Sequence, residues 1–208
     1  MNLFNNINEK NKKKLLRLLE SNTLFIKKDT NILNTIKNNY SLCIIIDGFV
    51  QIIKIDYNGN KIIEEELYED DIFGAFLLPL NNNEYEILAK ENTKIIEIDY
   101  ERIMNCRENN KSFYNEFIKN LLQIIIDKIN KKNERIEILT KKTIRNKLLE
   151  YFKINAKKHG SKYVYLPFNF TDLADYLAVD RSAMSRELKY LKEEGFIEIK
   201  GKRITLLY

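Results

Sequence analysis

Between Arg102 and His159 the chain carries neither glycine nor proline. An uninterrupted stretch of that length, with apolar residues at spacings of three and four, has to be read as helix. Phe113, Phe117, Leu121, Ile124, Ile125, Ile129 and Ile136 set the period and predict one helix over 111–138, roughly 40 Å long at about 1.5 Å per residue. That is too long to be covered by one small barrel. Ile124-Ile125-Ile126 is apolar on more faces than a single contact uses. This favours a dimerisation helix, paired parallel or antiparallel through Phe117, Leu121, Ile124, Ile125 and Ile129; the plainer alternative is a helix lying along its own domain. A second helix is expected to start at Thr140 as its cap and to run through Ile144, Leu148, Leu149 and Phe152 to about His159-Gly160.

The residues before this block have a different texture. After an amphipathic helix spanning Leu3 to Glu20, short β-branched runs follow: Ile44–Ile46, Phe49–Ile55, Lys61–Ile63, Tyr85–Leu88 and Lys94–Ile98. Asp47-Gly48, Asn58-Gly59-Asn60 and Asn81-Asn82-Asn83 separate them as turn signals. Repeated short strands joined by Asn/Gly turns predict an antiparallel sandwich or barrel. The organisation expected is a β domain with an N-terminal helix over 1–107, a long helix over 108–139 and a further domain over 140–208.

Charge separates the same parts. The formal net charge is +5, yet residues 1–139 hold 20 Lys/Arg against 22 Asp/Glu, and residues 140–208 hold 15 against 8. The whole positive excess lies in the last third, the arrangement of an acidic-to-neutral module joined to one that meets a polyanion. No apolar run approaches the roughly 20 residues of a membrane span, so no membrane partner is expected. Cys43 and Cys106 cannot form a disulfide framework, and the Asn- and Lys-rich start lacks the apolar stretch of a secretory signal, so the expected address is a reducing cytoplasm.

Within the basic third, Thr171 to Leu191 has the spacing of a helix-turn-helix. Ala174 supplies the small residue where the second helix crosses the first, and Leu173, Leu177, Val179, Met184, Leu188 and Leu191 fall on the packing faces. Arg181, Ser182, Ser185, Arg186 and Lys189 are left on the outside, where a major groove would receive them. Asp180 is placed to cap the second helix. The hairpin Phe196–Leu206 follows, with Lys200-Gly201-Lys202-Arg203 at its tip, suited to the sugar-phosphate backbone.

Residues 140–208 resemble the winged helix-turn-helix of the Crp/Fnr family. Leu173-Ala174, the run Arg181 to Leu188 and the run Leu191 to Ile197 carry the resemblance. The N-terminal part resembles that family's cyclic-nucleotide-binding β-roll through Ile46–Val50, Asn58-Gly59-Asn60 and Asp71–Gly74. The resemblance implies an α+β fold: an N-terminal double-stranded β-helix (β-roll), a long dimerisation helix and a C-terminal winged helix-turn-helix. It implies a cytoplasmic homodimer that regulates transcription by binding double-stranded DNA at a palindromic operator, and that meets RNA polymerase if it activates. The DNA-contacting residues it points to are Thr171, Arg181, Ser182, Ser185, Arg186, Lys189, Lys202 and Arg203, with Arg186 best placed for a guanine edge. Many members of the family have Glu where Ser182 stands.

The sensor half departs from the family's cyclic-nucleotide pattern. Ala75 stands where a ribose-binding Glu is expected after Gly74, and Asn81–Glu86 stands where a phosphate-binding Arg is expected. Cyclic AMP is therefore not the expected effector, and two cysteines cannot hold the family's four-cysteine iron–sulfur cluster. Heme would have to use Cys43 or Cys106, because the only histidine, His159, lies in the other half; small buried apolar roles fit both thiols better. The second reading kept open is a heme or small-molecule sensor acting through protein contacts. An enzyme is not expected, since one His and two Cys cannot supply a metal cluster or a His-paired nucleophile. Glu64-Glu65-Glu66 and Glu69-Asp70-Asp71 read as strand-edge and turn residues rather than acid–base pairs.

Overall fold

The computed structural model describes residues 2–36, 40–59, 61–74, 84–166 and 169–208, in two compact units, Met1–Ile126 and Asp127–Tyr208. The boundary falls inside one long helix. Unit 1 opens with α1 (Glu9–Leu18), then β1 (Asn22–Ile26), a 3-10 turn (Ile32–Asn34), β2 (Ser41–Asp47), β3 (Val50–Ile55), β4 (Lys61–Leu67), β5 (Ile72–Gly74), β6 (Tyr85–Ala89) and β7 (Thr93–Asp99). The helices α2 (Tyr100–Met104) and α3 (Ser112–Leu139) follow.

Two antiparallel sheets, ordered β1-β7-β2-β5 and β4-β3-β6, build the β-roll. Side chains alternate across each strand, and β2 shows the result. Cys43 and Ile45 join Ile95, Val50, Ile52 and Ile87 in a core shared by the two sheets. Leu42 and Ile44 face the other way, into a second core with Leu15 of α1, Ile103 of α2 and Phe117 and Leu121 of α3. Gly48 makes the β2–β3 turn at φ +112°, and a Cβ there would stand 2.5 Å from Thr93 Oγ1.

Several expectations shift. The first helix begins at Glu9, not Leu3, because the Asn8 side chain caps it by accepting from Asn11 N–H at 2.9 Å. Before it, Asn2 accepts from Phe4 N–H at 2.8 Å and forms a turn. That turn lets Leu3, Phe4 and Ile7 bury against α3, where Asn120 Nδ2 donates to the carbonyls of Leu3 and Asn5. β1 and β5 are strands the sequence reading missed; each is short, and β1 leaves Phe25 outside. The expected turn at Asn81–Asn83 lies outside the described residues.

The long helix runs over Ser112–Leu139, close to the expected 111–138. Unit 2 continues with α4 (Ile144–Lys158), β8 (Tyr163–Tyr165), α5 (Phe170–Tyr176), α6 (Arg181–Glu193), β9 (Ile197–Lys200) and β10 (Arg203–Leu206). Thr140 does not cap α4. Its N–H still bonds Ile136 O at 3.0 Å and its hydroxyl donates to Glu137 O, so it closes α3. Thr143 is the cap, accepting from Asn146 N–H at 3.1 Å. Pro167 and Phe168, just after β8, lie outside the described residues. Among those described, no helix is long and apolar enough to cross a membrane.

Candidate nucleic-acid interface

Unit 2 packs three helices against a three-stranded sheet ordered β8-β10-β9. Its core takes Leu148, Tyr151 and Phe152 from α4, Leu173 and Ala174 from α5, Met184, Leu188 and Leu191 from α6, and Ile197 and Ile204 from the hairpin. Ala174 is fully covered where α5 and α6 pack, the place assigned to a small residue. Asn169 and Asp172 form a reciprocal capping box at the start of α5, with Thr171 exposed in its first turn.

The turn between α5 and α6 depends on Ala178, whose φ is +50°. The N–H of Ala178 bonds Asp175 O, and that of Val179 reaches back to Ala174 O at 3.0 Å, closing the end of α5. Two residues later Asp180 starts α6, its carboxylate accepting from Ala183 N–H at 2.7 Å. With one face of α6 fixed in the core, Arg181, Ser182, Ser185, Arg186 and Lys189 are all exposed. Lys189 also meets Glu193 at 3.7 Å, a solvated pair of little energetic weight.

An ion triad absent from the sequence reading fixes how α6 is held. From the first turn of α4, Arg145 Nε donates to Glu187 at 2.6 Å. Its two terminal nitrogens grip both oxygens of Glu194 at 2.8 and 2.6 Å, and the guanidinium lies 6.0 Å from the Phe196 ring centre. One side chain thus joins α4, the middle and the C-cap of the exposed helix, and the root of the hairpin. Hydrogen bonding to Glu194 raises the Arg145 pKa, and the same bonds hold Glu194 below its ordinary value. The signal was present in the sequence as Glu187 and Glu194, seven residues apart and so on one helical face.

Other contacts set the frame. Lys147 Nζ caps α5 by donating to Leu177 O at 3.0 Å. Burial pushes Glu150 up, but Lys141 at 3.1 Å, together with Lys153, outweighs it and leaves the carboxyl below its ordinary value. Burial raises the Tyr151 phenol to about 12, with the neighbouring Tyr176 adding to the shift. The last turns of α3 belong to this unit: Ile138 enters its core, Glu134 pairs with Lys158, and Arg135 lies over Tyr176.

At the hairpin tip, Gly201 (φ +62°) and Lys202 form the turn, and Lys202 is exposed. Arg203 is not in the turn. It is the first residue of β10, half-buried, with its guanidinium 5.5 Å from the Tyr163 ring centre.

In unit 1, both cysteines are buried. Burial pushes the Cys43 thiol far up and the Glu97 carboxylate adds to it. Glu97 is itself buried, on the face of β7 that pairs with Cys43, and accepts from Ser41 Oγ at 3.0 Å. Glu66 accepts from Gln51 at 2.9 Å, and Asp71 from the Tyr68 N–H at 2.9 Å; these are strand-pair and turn contacts. Ala75 and Asn81–Asn83 lie outside the described residues. Phe117 and Leu121, expected at a dimer face, are instead buried in this unit's own core against the N-terminal segment, and Ile124 and Ile125 pack partly against it; Ile129 is exposed.

A β-roll, a long helix and a winged helix-turn-helix thus lie in one chain. Residues 144–208 match the Crp-like helix-turn-helix domain. A protein named as an HTH-type transcriptional regulator, ycf28 of Porphyra purpurea, is 27% identical over 173 residues, covering 81% of this chain and 71% of its own length. The transcriptional activator protein FnrL of Cereibacter sphaeroides is 29% identical over 96 residues, 42% of this chain and 39% of that protein. The fold is also that of CprK (TM-score 0.62, 16% identity, 93% of this chain and 89% of that one). It is shared with the Thermus thermophilus catabolite activator protein (TM-score 0.53, 17% identity, 98% and 92%). Residues 144–208 are thus a Crp-like helix-turn-helix domain, and the chain as a whole is similar to transcription regulators of the Crp/Fnr type.

Proposed function

We propose that the protein works as a homodimer that reads a palindromic operator with α6. The observation that carries this reading is the two-sided character of that helix. Met184, Leu188 and Leu191 and the Arg145 triad fix one side, while Arg181, Ser182, Ser185, Arg186 and Lys189 stand in solvent on the other. Arg186 supplies a bidentate donor for a guanine edge; Arg181, at the helix N-terminus, and Thr171 supply backbone contacts. Lys202 adds a sequence-independent phosphate contact from the wing, and Arg203 supports it from β10.

Dimerisation is assigned to α3. Leu122, Ile126 and Ile129 are 54%, 48% and 51% exposed and recur at spacings of four and three, a stripe that a second copy of the same helix covers. Leu122 and Ile126 also line a groove with Met104, Tyr114 and Ile118. A partner copy would thus meet this stripe in place of Phe117 and Leu121. The effector enters the β-roll and is not cyclic AMP, since Ala75 and the Asn81–Glu86 run replace the ribose and phosphate ligands. If the protein activates, RNA polymerase is a further partner.

Selection from fragmented genomic DNA tests this. The expected product is an inverted repeat with half-sites about 10 bp apart, bound by two chains. Recovery of unrelated sequences, or of a site bound by one chain, would overturn it.

A further inference from the structure

The helix α1 carries a basic stripe that neither the core nor the α6 reading uses. Lys10, Lys13, Lys14 and Arg17 are all exposed and stand at positions i, i+3, i+4 and i+7, so they share one helical face. Leu15 and Leu19 hold the opposite face in the core. Lys14 pairs with Glu108 at 3.2 Å, whereas Lys10, Lys13 and Arg17 have no ion partner among the described residues. A patch of opposite character lies on the outer side of the sheet β4-β3-β6. Val50 and Leu67 pair and enter the core, so the rungs on either side, Gln51 with Glu66 and Phe49 with Tyr68, face outward. The Phe49 and Tyr68 rings stack 4.8 Å apart, and Tyr68 is 53% exposed. Glu66 accepts from Gln51 at 2.9 Å and from the Tyr68 hydroxyl at 3.3 Å, both neutral donors, and Glu69 follows in the exposed turn. Among the described residues no cation pairs with Glu66 or Glu69 or lies over either ring.

We propose that the α1 stripe of one copy docks on the Phe49–Tyr68 patch of a second copy, joining molecules head to tail through their β-rolls. Charge and chemistry select the partner. The Tyr68 ring gives the Arg17 guanidinium a surface to stack on, and Glu66 and Glu69 supply carboxylates for the lysines beside it. Place keeps the contact from closing within one chain. Glu20, just past α1, pairs with Arg102 of α2 at 2.8 Å, near the end of β2 where Ser41 pairs with Asp99. The patch adjoins the other end of β2, where Asp70 N–H bonds Ile45 O at 2.9 Å. Two unlike surfaces that match each other make a heterologous contact, which repeats from copy to copy instead of closing as a symmetric pair. Both are charged and solvated, so the contact is weak and screened by salt. None of these residues belongs to α6 or to the exposed stripe of α3.

The test uses the full-length protein without DNA, in sedimentation velocity over a concentration series at about 50 mM and about 500 mM salt. The wild-type mass is expected to rise with concentration at low salt, with an association constant roughly tenfold or more above that at high salt. Pairing through α3 is read separately, as the mass that remains at high salt. Lys13→Glu with Arg17→Glu, and in a second protein Glu66→Lys with Glu69→Lys, are each expected to lose the low-salt association when alone. An equimolar mixture of the two is expected to regain it, because the reversed stripe of one meets the reversed patch of the other. Tyr68→Leu keeps every charge and is expected to weaken the association about threefold. A wild-type mass that is the same at both salt concentrations overturns the proposal. So does a mixture of the two reversed proteins that stays apart, or a Tyr68→Leu protein that associates as tightly as the wild type.

Discussion

Arg145 and Glu194 meet through two parallel hydrogen bonds, 2.8 and 2.6 Å long, across the 49 residues that separate the start of α4 from the C-cap of α6. The same guanidinium reaches Glu187 one helical side higher, so α6 is held at two points two turns apart. A planar fork can do this and an ammonium cannot. The orientation of the face that carries Arg186 therefore depends on a side chain that faces away from it.

Replacement of Arg145 by Lys is expected to weaken operator binding several-fold while leaving binding to random DNA nearly unchanged, because charge is kept and alignment is lost. Titration of both duplexes by anisotropy checks this. The triad also gives a pH signature. Glu194 is held below its ordinary value in the fold, so its stabilisation is present above the unfolded carboxyl range, about 4.3, and is lost as pH falls through the lower folded value. Thermal melts of wild type and Glu194→Gln should differ at pH 6 and converge near pH 3.

Ala178 occupies a left-handed conformation, φ +50°, that costs an L-residue about 1–2 kcal/mol. Glycine removes that strain but loses more chain entropy on folding. Ala178→Gly is expected to gain about 0.5–1 kcal/mol and to raise the melting temperature of unit 2 by roughly 2–8 °C. A lower melting temperature would mean that the turn holds Ala178 by contacts of its methyl group.

The α3 stripe is tested by Ile126→Asp. Ile126 is about half-exposed in the single chain, so the substitution should leave the fold intact and convert a dimer to a monomer in sedimentation equilibrium. Operator affinity should fall with it, because two linked half-sites become one. A variant that sediments as the wild type does would move the interface off this stripe.

Much of this was legible before any coordinates. The gap in glycine and proline located α3 to within a residue at each end, and period-3.6 patterning placed Leu173, Met184, Leu188 and Leu191 in the core. Asp180 capped α6 as expected because a cap is decided by neighbours three residues away. Long-range relations were hidden. Phe117 looked available for a partner, yet the N-terminal residues Leu3 and Phe4 cover it from more than a hundred positions away. Thr140 read as the cap of α4, but the hydrogen bond from its N–H to Ile136 O shows that it still belongs to α3. Arg203 read as a tip residue by counting along the hairpin, but strand pairing with Tyr165 and Lys200 draws it into the sheet.

The claim on which the rest depends is that α6 reads base sequence, and the affinity ratio between operator and random duplex in wild type and Arg186→Ala measures it most directly. The substitution is expected to cost about 1–3 kcal/mol on the operator and little on random DNA, collapsing the ratio, whereas Lys202→Gln should weaken both alike and preserve it. Equal loss on both duplexes for Arg186→Ala would contradict the base-reading role of α6.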